Sequence, residues 1–174
     1  MILDSQLTLS SGQSLAVVAG DTPSDGIIDF MGGGVGNAPV NYFGIQNAVA
    51  GEDIGIGDGA SPPNLVCIVG TAFAGGTDMN VKLQESVDSG ASGTPAYSPN
   101  AWLTIAETGL LTDAKLTAGQ KIAEFTIPPR QPGQAFPRFF RLLYTTTGTH
   151  TAGTIAYAGI ATGRDDTPAY PSAY

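Results

Sequence analysis

From residue 65 onward the chain is a series of short apolar or alternating runs. Each is closed by a glycine or proline cluster, and that punctuation limits the fold more than any other feature. Leu65–Ala74 is an almost continuous apolar run ended by Gly75-Gly76-Thr77-Asp78. Met79–Val87 alternates, with Val81, Leu83, Glu85 and Val87 on one face and Lys82, Gln84 and Ser86 on the other. After a polar loop over Ser89–Pro99, Ala101–Thr108 sets Leu103 and Ile105 against Trp102 and Thr104. Lys121–Ile127 is closed by Pro128-Pro129, and Arg138–Thr147 and Thr151–Thr162 are parted by Gly148. These runs recur at roughly ten-residue spacing, which predicts an antiparallel sandwich or barrel and not βαβ units. Helices are disfavoured throughout. Gly 24 and Pro 12 make about a fifth of the 174 residues, and these are the two worst residues for a helix interior. Ala114–Gln120 has room for one helical turn, limited by Gly119.

The front of the chain has a different texture. Residues 1–64 hold short apolar pieces, Leu15-Ala16-Val17-Val18, Gly26-Ile27-Ile28-Asp29-Phe30 and Val40-Asn41-Tyr42-Phe43-Gly44-Ile45, spaced by glycine clusters and ended at Pro62-Pro63. Such glycine density costs entropy on ordering and predicts chain held by contacts more than by itself. The expected organisation is an arm with one or two first strands over 1–64, a sandwich core over 65–162 and an irregular tail over 163–174. The fold expected is all-β, a jelly-roll-like antiparallel sandwich with a long Gly-rich N-terminal arm.

Charge excludes nucleic acid as a partner. Seven Lys+Arg stand against fifteen Asp+Glu, a formal charge of −8, too few cations to neutralise phosphates. Residues 1–81 contain eight acids and no Lys or Arg. That half either meets a basic partner surface or keeps its acids for turns and solubility. Met1–Gln6 has neither the basic nor the apolar region of a signal peptide, and no apolar run approaches a membrane span of about 18 residues. Cys67, the single cysteine, rules out a disulfide framework and a Cys-based zinc site, and within Leu65–Val69 it reads as a small buried hydrophobe.

Tests for catalysis return little. His150 is the one histidine, set in Gly148-Thr149-His150-Thr151 as an exposed loop or strand-edge residue, with no nucleophile elbow in the chain to partner it. Glu85, Glu107 and Glu124 are strand carboxylates, and glycosidase chemistry needs two of them about 5 Å apart in a groove. The glycine clusters lack both the dinucleotide fingerprint and a Gly-Lys-Ser/Thr step. Glu52-Asp53…Asp58 and Asp165-Asp166 do not match a calcium-loop spacing and read as solvated turn acids. The expectation is no enzyme, no cofactor and no metal.

Several segments in chain order resemble the jelly-roll capsid cement proteins of tailed bacteriophages, of the type of the Bordetella-phage cement protein. They are Met1-Ile2-Leu3-Asp4-Ser5-Gln6 and Gly26-Ile27-Ile28-Asp29, then the turn Asp53-Ile54-Gly55-Ile56-Gly57-Asp58-Gly59. Leu65–Phe73, Val81-Lys82-Leu83-Gln84, Arg138-Phe139-Phe140-Arg141-Leu142-Leu143-Tyr144 and Thr151-Ala152-Gly153-Thr154-Ile155 continue the likeness. The stretch Phe30–Val49 and the tail after Thr162 fall outside it. The resemblance implies a structural decoration protein, made in the host cytoplasm, that binds the exterior of a capsid shell and bridges capsomers. Its implied partners are the major capsid protein and itself, as a dimer or trimer, with no nucleic acid and no membrane. The alternative is a carbohydrate- or receptor-binding jelly roll on the virion, for which Trp102 and Tyr97 are the aromatic candidates.

Under the first reading the candidate contact residues are Ile2, Leu3, Ile27, Phe30, Tyr42 and Phe43 in the arm, which otherwise pack on the sandwich. Arg138 and Arg141 are candidates for ion pairs with a neighbour. Being three residues apart on a strand, they point to opposite faces. Tyr170 and Tyr174 are anchors for the tail.

Overall fold

The computed structural model describes residues 2–29, 64–86, 102–126 and 139–162. They form two antiparallel sheets packed face to face. In chain order the strands are β1 (Ile2–Ser14), β2 (Gly20–Pro23), β3 (Ile28–Asp29), β4 (Asn64–Val69), β5 (Asp78–Ser86), β6 (Leu103–Glu107), β7 (Leu111–Thr112), β8 (Lys121–Thr126), β9 (Phe139–Thr147) and β10 (Thr154–Thr162). The first sheet has the order β1-β10-β4-β8. The second has the order β2-β9-β5-β6, with β3 on β9 and β7 on β5. One 3-10 turn, Asp113–Lys115, lies where a helical turn was expected.

Period-two patterning decides which side chains go inside. On β5, Met79, Val81 and Leu83 are fully buried, and on β9 Phe140, Leu142 and Tyr144 face them from the same sheet. The first sheet answers with Leu7 and Leu9 of β1, Leu65, Cys67 and Val69 of β4, and Ala158 and Ile160 of β10. β5 and β9 pair without a slip from Asp78↔Thr147 to Ser86↔Phe139. That unbroken ladder fixes the register of the second sheet.

The N-terminal stretch is not an arm over residues 2–29. β1 pairs with β10 from Ile2↔Thr162 to Ser14↔Thr154, so the two ends of the described chain share one sheet. β2 and β3 both join β9 in the other sheet. Three strands come from this stretch where one or two were expected. The Leu15–Val18 piece divides: Leu15 is fully buried, whereas Val18 is 73% exposed. Residues 30–63, the rest of the expected arm, and the 163–174 tail lie outside the described residues.

β1 and β10 approach closely at Gly159. A Cβ there would stand 2.5 Å from the Leu7 carbonyl oxygen and 2.7 Å from the Tyr157 hydroxyl. Tyr157 donates that hydroxyl to the Ile160 carbonyl, 3.2 Å away, which lays its ring along the strand. Glycine is the residue that permits this.

Candidate functional site

Three polar constellations stand out among the described residues, one inside the sandwich, one at its end and one on its outer surface. Inside, Tyr144 of β9 is fully buried, and its hydroxyl lies 2.8 Å from Ser10 Oγ of β1. Ser10 donates its own proton to Gln13 Oε1 at 2.7 Å, so Tyr144 is the donor of the pair. Gln13 in turn donates to the Pro23 carbonyl at 2.8 Å and accepts from the Asp25 backbone N–H. The Cys67 thiol also meets the Tyr144 hydroxyl, yet burial dominates and pushes it up to about 12. Burial likewise raises Tyr144 well above an ordinary tyrosine, with the neighbouring Cys67 adding to it. These groups stay protonated at neutral pH. They tie β1, β2 and β9 together across the two sheets, and nothing in them offers a nucleophile.

At the end of the sandwich sits His150, which corrects the expectation of an exposed loop residue, for it is 2% exposed. Its Nε2 lies 3.1 Å from Asp113 Oδ1 in the 3-10 turn, and its ring meets Phe73 edge-on at 5.3 Å between centroids. Its backbone N–H donates to the Val17 carbonyl. A histidine with one carboxylate beside it lacks the hydroxyl or thiol that would complete a nucleophilic triad. It staples the β9–β10 connection to the turn before β8.

The outer surface of the second sheet carries the third group. Arg141, on β9, projects away from the core, because its neighbours Phe140 and Leu142 point in. Directly across the ladder is Gln84, whose Oε1 accepts from Arg141 Nε at 2.8 Å. Gln84 is itself buried, and it donates to Thr104 Oγ1 of β6 at 3.2 Å. Trp102, one residue before β6, places its ring 4.1 Å from the guanidinium carbon. Burial lowers Arg141 from its ordinary value, and the negative charge of Asp21 opposes that shift. The guanidinium remains charged, stacked on one side and hydrogen-bonded on its inner edge.

Of the candidate contact residues, Ile2 and Leu3 lie on β1, paired with Thr162 and Ala161 at the edge of the first sheet. Ile27 is 39% exposed beside the buried Ile28. Arg141 is on the outer face as described. Phe30, Tyr42, Phe43, Arg138, Tyr170 and Tyr174 lie outside the described residues, as do Tyr97 and the acids Glu52, Asp53, Asp58, Asp165 and Asp166. Glu107 and Glu124 belong to different sheets, and Glu85 is buried on the inner side of β5, so these carboxylates share no groove. Glu107 accepts from Asn80 Nδ2 and Glu124 from Asn64 Nδ2, each at 2.9 Å. A shallow depression of about 360 Å³ between the 3-10 turn and β8 holds Lys115 and Lys121 but no carboxylate, histidine or cysteine. Among the described residues no group of three His, Cys, Asp or Glu is placed to hold a metal ion. No helix among them is long and apolar enough to cross a membrane.

Sequence reasoning marked Arg141 but missed its setting. Trp102, just before β6, and Arg141, on β9, are brought together only through β5, a pairing that no local pattern encodes.

Fold and site therefore define a two-sheet β-sandwich whose polar constellations tie strands together or line a surface. A family model described as Bbp16, a Bordetella phage protein family, matches residues 38–160, and the chain belongs to that family. It is accordingly a phage-related structural protein. No curated protein matches the chain.

Proposed function

We propose that this protein is a capsid cement, or decoration, protein that binds the outside of a phage head and bridges neighbouring capsomers. The observation that carries the reading is the phage family match across 38–160, which spans most of the sandwich. The strand order supports it. The eight main strands divide between β1-β10-β4-β8 and β2-β9-β5-β6, all antiparallel, an order that supports the jelly-roll reading. A bridging role asks for a rigid body with faces to present, and it needs no catalytic site. The sandwich supplies the rigidity through its double-sided core. Its acidic charge suits an exterior position, away from packaged DNA. Repetition over a closed lattice then turns modest single contacts into a durable shell.

Co-sedimentation with expanded capsids lacking the protein tests this. Deleting residues 1–30 would strip Leu7, Leu9, Leu15 and Ile28 from the core, so surface substitutions are the proper comparison. Ile27→Asp is the first, since Ile27 is exposed and on no described strand. Saturable, stoichiometric binding of the full chain is the expected result. Absence of binding, with specific retention on a glycan surface instead, overturns it in favour of a carbohydrate-binding module.

A further inference from the structure

We draw no further inference here: the strongest candidate, the apolar tip of residues 16–19 between β1 and β2, where Val18 is 73% exposed at the end of the sandwich beside the 148–153 connection, carries nothing, because nothing in the structure shows what covers it.

Discussion

The imidazole of His150 occupies the space that a Cβ on Gly76 would need, so the two residues can be neighbours only because residue 76 is glycine. His150 is buried, bonded to Asp113 and edge-on to Phe73, and it has no route of retreat. The backbone of Gly76 does not demand positive φ, so the constraint here is packing. Gly76→Ala is expected to cost about 1–3 kcal/mol through forced displacement of the ring. Urea unfolding of Gly76→Ala, His150→Ala and the double variant measures it. The two changes should be strongly non-additive, with the double variant more stable than the sum of the singles predicts.

Tyr144 links the two sheets through its hydroxyl. Tyr144→Phe keeps the ring in the core and removes the donor to Ser10 Oγ, leaving a buried serine oxygen short of one partner. The expected loss is about 1–2 kcal/mol, measured by chemical denaturation, with little change in the denaturant slope.

Cys67 should be chemically silent while the protein is folded. With its thiol pushed from the ordinary 9.0 up to about 12, almost no thiolate exists at pH 8. A thiol-labelling reagent at pH 8 is expected to react only at the rate of unfolding, and at once in denaturant. The same shift makes stability fall at alkaline pH. The folded state holds this proton more tightly than the unfolded one, so the stabilising contribution is complete below pH 9.0 and falls as pH rises towards 12. In that window each pH unit costs about 1.4 kcal/mol from this group. Tyr144 shifts in the same direction and adds to the loss. Cys67→Ala should flatten the decline between pH 9 and 11 in thermal melts.

β1 is a structural strand, and truncation should show it. Removing residues 1–14 takes away Leu7 and Leu9 and exposes the edge of β10. Cooperative unfolding should vanish or the product should aggregate, whereas Leu9→Ala alone should cost about 2–5 kcal/mol with the fold retained. Far-UV circular dichroism with thermal melting distinguishes the two outcomes.

Much of the sandwich was legible in the residues. β4, β5, β6, β8, β9 and β10 fall on the runs marked by glycine and proline punctuation, with ends within a few residues. β1 was hidden because its register slips twice, between Leu3 and Thr8 and between Thr8 and Ser10, which breaks the alternation a sequence pattern depends on. Its partner is also the last strand described, a separation that no local signal spans. His150 looked exposed because its sequence neighbours are polar and small. Its burial comes from Phe73, Gly76 and Asp113, none of them adjacent in sequence. Arg141 was legible as a cation on a strand, but its stacked, hydrogen-bonded setting needed Gln84 and Trp102 brought alongside by the β9-β5-β6 order.

The central claim, that the sandwich decorates the outside of a phage head and joins its capsomers, is tested most directly by imaging expanded heads with and without the added protein. The account predicts extra density of sandwich size on the outer surface, spanning boundaries between capsomers, at one fixed occupancy per lattice position. Density confined to the inner surface, restricted to the tail or absent at saturating protein would contradict it.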